Sequence, residues 1–387
     1  MPGDVAAIVL AAGLSSRMDR FKPLAPLGDS TVLGRVMATL ACAGVEQVLV
    51  VTGHRAEEVA GMAKGGGARA VRNPDYHEGM FTSVRAGVKG LDPETSGFFL
   101  LPVDIPLVRP ATLRRLIEVF DPGSATVVHP AFLGRRGHPP LLSAQIIPRI
   151  MKSHGHGGLR AVLERFEAGN AHRVKEVTVA DAGVLQDMDT EQDYLEVCRR
   201  WASRGLPSQE ECRSLLDLAG TPERARLHGR AVARVAVALG RAVNQSQARD
   251  VVLDLERIER AALVHDLAKG HPSHEQEGGR LLSEWGFTDI AAMVAAHRDL
   301  APEPGSPVSE QEVVFLADKV VAGTELVPLE RRYDLVLERH GADPEARKDI
   351  QGRKERALRI AVRVEAVMGK KLQGVATTAL ETDPKTA

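Results

Sequence analysis

Six apolar residues, Val5 to Leu10, run straight into a loop of small residues, Ala11-Ala12-Gly13-Leu14-Ser15-Ser16, closed by Arg17 and Met18. An unbroken apolar run stopped by glycine and serine predicts a strand buried on both faces, as in a parallel sheet. Small residues at the end of such a strand leave backbone N–H groups free. With Arg17 and Lys22 beside them, these groups make a cradle for a triphosphate. Glycine turns after strands commonly bind nothing, so Gly13 alone decides little. Two facts add weight. No acid interrupts the loop before Asp19, and open α/β sheets bind ligands at the carboxyl ends of their strands.

Strand and helix signals alternate through the first half. Thr31 to Ala43 has helical spacing, with Val32, Leu33, Val36, Met37 and Leu40 on one face. Val45 to Thr52, Ala68 to Arg72, Phe98 to Asp104 and Ala125 to His129 read as strands. Ala56 to Ala63, Gly79 to Val88 and Pro110 to Phe120 read as helices between them. This alternation predicts an α/β doubly wound, mostly parallel, Rossmann-like sheet. Asp104 closes an apolar strand at the same edge as the opening loop. A carboxylate there either caps the next turn or holds a Mg²⁺ that bridges phosphates.

At 387 residues the chain is too long for one ordinary domain. Ser203 to Pro207 is a turn-rich break, and the rest reads as helices. The expected division is 1–202, an all-α domain over 203–370, and a loose tail over 371–387. A formal net charge of −1 gives no support for a nucleic-acid or membrane surface. Cys42, Cys198 and Cys212 lie far apart without CxxC spacing, as in a reducing compartment. The N-terminus lacks a basic n-region, and no stretch approaches the roughly 20 apolar residues that span a bilayer. A cytoplasmic protein is expected.

Several segments together resemble the MobA-like nucleotidyltransferases, most closely the molybdenum cofactor cytidylyltransferases. They are Leu10-Ala-Ala-Gly-Leu-Ser-Ser-Arg-Met with Lys22-Pro-Leu, Val51-Thr-Gly-His-Arg, Asn73-Pro-Asp-Tyr-His-Glu-Gly-Met, Leu101-Pro-Val-Asp-Ile-Pro-Leu-Val, Arg136-Gly-His-Pro and Asp187-Met-Asp-Thr-Glu-Gln-Asp193. The resemblance spans about residues 5–198, and its Ala-Ala-Gly form is the one associated with cytidine transfer. It implies that Leu10, Ala11, Ala12, Gly13, Leu14, Ser15, Ser16, Arg17 and Lys22 bind the nucleotide, with Asn73, Gly79 and Ser83 along the groove. It implies that Asp104 and Asp189 hold Mg²⁺, that Arg17, Lys22 and Asp104 serve catalysis, and that Arg136, Gly137 and His138 face the acceptor. CTP and molybdopterin, or another phosphorylated small molecule, are the implied ligands, with a molybdoenzyme or maturation factor as protein partner. Two positions depart from the family pattern. Asp19 replaces a glycine, and Gly155-His156-Gly157-Gly158 stands where Gly-Asp-x-Gly is usual. His154 and His156 read as a polar loop rather than a metal site.

In the second half, His228, His265-Asp266, His274, His297 and Asp318 recur at helix starts, helix ends or inside an apolar helix. Imidazole and carboxylate together suit first-row metals. The order His…His-Asp…Asp, with His265-Asp-Leu-Ala-Lys269, resembles the HD-domain phosphohydrolases over about residues 208–325. The resemblance implies that His228, His265, Asp266 and Asp318 are metal ligands and that His265 and Asp266 are catalytic. His274 and His297 then fall where dinuclear members carry two further histidines; His271 competes with His274. One or two Mn²⁺ or Fe ions are the implied cofactor, and Lys269 is an implied phosphate contact. Two alternatives remain open at this stage. One is transfer to a sugar or polyol phosphate. The other is a non-hydrolytic HD half that senses a nucleotide.

Overall fold

The computed structural model describes residues 5–303 and 305–381. The chain divides into two compact units, Met1–Arg204 and Gly205–Ala387.

The first unit is built on a mixed, mostly parallel sheet. Its strands are β1 (Val5–Leu10), β2 (Gln47–Thr52), β3 (Arg69–Arg72), β4 (Gly97–Pro102), β5 (Val127–Phe132), β6 (Arg135–Arg136), β7 (Leu141–Ser143) and β8 (Val174–Thr178). The spatial order is β8-β5-β7-β4-β1-β2-β3, with β6 on β5. β1 lies parallel to β2 and to β4, and Leu10 is in register with both Val51 and Pro102. The chain therefore runs from β1 outward through β2 and β3, then returns to the other side of β1 as β4. That reversal opens a crevice at the carboxyl ends of β1 and β4, where ligands bind in open α/β sheets.

Helices α1 (Val32–Cys42), α2 (Ala56–Gly65), α3 (Met80–Lys89), α4 (Pro110–Val119), α5 (Ile147–Lys152), α6 (Gly158–Gly169) and α7 (Glu191–Ala202) accompany the sheet. The Thr31 side chain caps α1 by accepting from Gly34 N, and Val32, Leu33, Val36, Met37 and Leu40 are all buried. Phe98 and Phe99 are both fully buried on β4, one on each face of the sheet. Burying a side chain of that size stabilises by about 1.5–3 kcal/mol.

β4 ends at Pro102, two residues short of the expected strand end. Val103 N still donates to Leu10 O, and Ile105 N then donates to Pro102 O. Asp104 therefore sits on a turn, its carboxylate free of the ladder. β7 is a short antiparallel insertion between β4 and β5, also absent from the expected strand set.

The second unit is helical: α8 (Gln209–Leu218), α9 (Glu223–Gln245), α10 (Leu255–Val264), α11 (His274–Glu284), α12 (Thr288–Ala295), α13 (Glu310–Val320), α14 (Leu329–His340), α15 (Pro344–Met368) and α16 (Leu372–Glu381). A two-residue ribbon, Val321–Ala322 with Glu325–Leu326, follows α13. α9 buries Val232, Val235, Ala236 and Leu239 along one stripe. At Gly229 the α10 backbone comes close, since a Cβ would sit 2.7 Å from Leu263 O. Among the described residues, no helix is long and apolar enough to cross a membrane.

The expected loose tail is corrected over Leu372–Glu381, which forms α16. Leu372 and Ala376 are buried, and Arg234 of α9 donates to Ala379 O and Leu380 O. A cation on the last carbonyls closes a helix that its own sequence leaves weak. The remainder of the expected tail, 382–387, lies outside the described residues. Cys212 on α8 offers a probe of this unit, because burial pushes its thiol up to about 12. Ala376→Asp is expected to destabilise the second unit by roughly 2–4 kcal/mol. It should also speed thiol labelling of Cys212, while Cys42 labels at the wild-type rate.

Candidate functional site

The opening loop is shaped by one left-handed residue and two clasps. Ser15 has φ +55°, and Met18 N donates to its carbonyl. Lys22 N donates to Ser15 Oγ at 3.0 Å. On the other side, Ala11 N donates to Val51 O and His54 N to Ala12 O. Among the described residues, the N–H groups of Gly13 to Arg17 have no acceptor. They remain available to an anion.

Lys22 is the centre of the charge arrangement. Its Nζ donates to Asp189 Oδ1 at 2.7 Å and to Asp104 Oδ2 at 3.2 Å, with the lysine side chain only 12% exposed. Arg17 Nη1 reaches Asp189 Oδ2 at 2.9 Å. The Lys22 hydrogen bond holds Asp189 below the usual carboxylate range, against a smaller opposing effect of burial. Asp189 is placed by the capping box of α7. Thr190 Oγ1 accepts from Asp193 N, and the Asp193 carboxylate accepts from the N–H groups of Thr190 and Asp189. Two carboxylates with open coordination sites beside two cations suit a divalent ion on a polyphosphate. Asp19 is exposed and makes none of these contacts.

A cavity of about 270 Å³ lies over this cluster, lined by Gly13, Ser15, Lys22, Tyr76, Ser83 and Asp104 among others. Asn73 is not in its wall. It is buried, and its Nδ2 donates to Ser83 Oγ and Thr82 Oγ1, each at 2.9 Å. Asn73 thus acts through Ser83. Gly79 adopts φ +116° just before α3, a left-handed conformation that glycine takes at little cost.

A second cavity of about 690 Å³ shares Leu10, Met80 and Pro102 with the first. Arg136, Gly137 and His138 line it, as do Gly157, Gly158 and Arg160. Gly137 is required by space, since a Cβ would lie 2.5 Å from Val184 O. Arg136 is bound on both sides, by Glu167 and Glu176 at 2.7 Å each. His129 and Glu167 also line this cavity. Sequence reasoning missed both as site residues, since α6 carries no motif at Glu167. His154 and His156 are exposed and belong to no metal-capable cluster among the described residues.

In the second unit the ligand-type residues converge. His228, His265 and Asp266 form one triad with ligand atoms within 4.8 Å, and Asp266, His274 and His297 form another. Asp266 belongs to both. Its Oδ2 lies 3.7 Å from His265 Nε2, while its Oδ1 lies 3.3 Å from His274 Nε2 and 3.6 Å from His297 Nε2. Asp318 Oδ1 completes the first side, 3.0 Å from His228 Nε2 and 3.5 Å from His265 Nε2. Three imidazoles are oriented through Nδ1. His228 bonds Gly323 O at 3.0 Å, His265 bonds Ala262 O at 2.8 Å and His297 bonds Val294 O at 2.6 Å. Donation from Nδ1 turns each Nε2 lone pair inward, as metal-binding histidines require.

The fit to metal rests on an orphan. His265 Nε2 is buried and has no hydrogen-bond partner, which a coordinate bond would satisfy. Burial works against ionisation of Asp266, but His297, His265 and Lys269 hold its carboxyl well below the usual range. His274 is pushed down, first by burial and then by the Lys269 charge, and so stays neutral. Both are metal-ready forms. His271 is exposed and outside both triads. Lys269 Nζ lies 3.0 Å from Asp266, and Lys319 Nζ 2.6 Å from Asp318.

Comparison with known proteins agrees with both halves. Residues 7–174 match the MobA-like NTP transferase domain, and residues 227–323 match the HD domain. The chain is 28% identical over 195 residues to the molybdenum cofactor cytidylyltransferase of Escherichia coli K12, covering 50% of this chain and 95% of that protein. It is 29% identical over 199 residues to the nicotine blue oxidoreductase of Paenarthrobacter nicotinovorans, covering 49% and 95%. It is 41% identical over 144 residues to a bifunctional IPC transferase and DIPP synthase of Rubrobacter xylanophilus, covering 32% of each chain. The chain thus carries a MobA-like NTP transferase domain and, on the same polypeptide, an HD domain.

Proposed function

We propose that the first unit transfers CMP from CTP to a phosphorylated acceptor, molybdopterin. The observation that carries this reading is the Lys22 ammonium held between Asp104 and Asp189 beneath a loop of free N–H groups. Similarity to a cytidylyltransferase over 95% of its length supports the nucleotide and the acceptor. A terminal phosphate oxygen of the acceptor attacks the α-phosphorus of CTP. A new P–O bond forms, the α–β bridging bond breaks, and pyrophosphate leaves with the electron pair. Mg²⁺ held by Asp104 and Asp189 supplies charge neutralisation when bound. Lys22 and Arg17 then turn to the triphosphate oxygens, and the loop N–H groups take the charge that develops in transfer.

The mostly apolar second cavity favours a flat acceptor over a polyol phosphate, although the IPC transferase similarity keeps polyols in the test panel. The nicotine blue oxidoreductase similarity is a rival of another class. Two metal-type carboxylates on a lysine favour phosphate chemistry.

For the second unit the proposed activity is metal-dependent phosphohydrolysis. Two triads sharing Asp266, with an orphaned His265 Nε2, support a dinuclear centre of Mn²⁺ or Fe. Such a centre supplies a hydroxide near neutral pH when bound. Lys269, paired with Asp266 and with its side chain 40% exposed, is the group to meet a substrate phosphate.

Asp104→Ala should lower CTP-dependent pyrophosphate release with molybdopterin by ~10²-fold or more. Turnover at the wild-type rate, or equal release with a polyol phosphate, would contradict the reading. In the HD unit, Asp266→Ala should empty the centre, whereas His228→Ala and His297→Ala should each retain about half the metal, by elemental analysis. Metal binding should also release protons. Burial opposes protonation of the His265 imidazole, but the negative charges of Asp318 and Asp266 close by outweigh it and hold its pKa above the ordinary value. Metal must displace that proton, so affinity should fall as pH is lowered through the His265 titration. Calorimetry in buffers of differing ionisation enthalpy reads this directly, and a pH-independent affinity would exclude it.

A further inference from the structure

The second cavity of the transferase unit has two unlike ends. One end joins the triphosphate cavity at Leu10, Met80 and Pro102. The other holds a polar cluster in which His129 Nε2 meets Glu167 Oε1 at 3.2 Å and Arg136 Nη1 meets Glu167 Oε2 at 2.7 Å. Between them the wall is apolar, with Phe81, Val84, Leu100 and Leu163. A cavity of about 690 Å³ is in the range that takes a small organic ligand.

The charges at the polar end exclude a phosphate there. Arg136 gives one of its faces to Glu167 and another to Glu176. One cation thus serves two carboxylates. Burial disfavours the charged form of His129, which stays neutral near pH 7. The cluster therefore keeps an excess negative charge and asks for donors. Glu167 has used one acceptor site on each oxygen, leaving one on each. Two adjacent acceptor sites on one planar carboxylate match two adjacent N–H donors on a flat ring.

We infer that Glu167, positioned by His129 and Arg136, recognises the 2-amino-4-oxopyrimidine edge of a pterin acceptor lying along Phe81 and Leu163. This rests on reading the cavity as the acceptor site. The polarity is consistent from end to end. The acceptor's phosphate meets Lys22 and Asp104, its fused ring crosses the apolar wall, and its 2-amino and N3–H groups donate to Glu167. A sugar or polyol phosphate would leave the apolar wall wet. Cytosine offers a donor beside an acceptor on the same edge, so it does not match the two acceptors. Guanine does present the same donor pair.

The test is pteridine binding to the full chain by calorimetry, without CTP. The probes are 6-hydroxymethylpterin, 6-hydroxymethyllumazine and GMP. Lumazine differs at the decisive point, with a carbonyl in place of the 2-amino group. Wild type should bind the pterin at least ~10-fold more tightly than the lumazine, since a lost bond to a charged partner also leaves like charges facing. Glu167→Gln should weaken the pterin ~10-fold and erase the preference, because an amide can donate to the lumazine carbonyl. Phe81→Ala should weaken both pteridines alike. Equal wild-type affinity for the two pteridines overturns the inference without any variant. Tighter binding of GMP than of the pterin, lost in Glu167→Gln, overturns it in favour of a guanine nucleotide. Pyrophosphate release with molybdopterin but no pteridine preference removes Glu167 recognition alone. The preference without such release leaves the pterin site standing and removes the transferase reading.

Discussion

One ammonium group organises the first unit. Lys22 Nζ lies within hydrogen-bond reach of Asp104 and Asp189, residues far apart in the chain. Each is delivered by a different local device. A turn clasped by Ser15 Oγ places Lys22, the turn after β4 places Asp104, and the capping box of α7 places Asp189. The two carboxylates lie close enough to repel each other without a cation between them. A half-exposed pair gains little from such contact in water, but this lysine is mostly buried, so its charge must be matched. The same demand makes the site fit for its work: a divalent ion with a triphosphate can take over the neutralisation that Lys22 now provides.

The second unit solves a similar problem in a drier setting. Asp266 is shared by two triads, and backbone carbonyls orient three of the imidazoles. Such outer contacts typically account for 10–100-fold in metal affinity. His228 and His265 meet because Gly229 lets α9 and α10 approach closely. A small residue beside His228 thus helps to shape the cluster. In the first unit the charged groups sit on turns and at a helix start; in the second, His265, Asp266, His274 and His297 lie at helix ends, while His228 and Asp318 project from within α9 and α13.

Much of this was legible from residues alone. Unbroken apolar runs announced β1, β2 and β4, and the stripe Val32, Leu33, Val36, Met37, Leu40 announced α1. The six HD-type His and Asp residues could be read because each belongs to a spaced pattern. Other features carry no local signal. β7 is only three residues long, too short for any period to show. α16 carries Gly374 and two threonines, and it depends on packing against α9 and on Arg234 holding its carbonyls. Asn73 shows a different limit. A polar residue in a family motif can touch the ligand or hold the residue that does, and only its hydrogen bonds to Ser83 and Thr82 decide. Glu167 and His129 lie on separate elements, and their pairing exists only in the fold.

The most direct test of the central arrangement is to find the ion. Crystals grown with Mn²⁺ and a non-hydrolysable CTP analogue should show an anomalous peak bonded to both Asp104 and Asp189, with Lys22 Nζ moved onto the triphosphate. A triphosphate bound elsewhere, or a peak that touches neither carboxylate, would contradict the account.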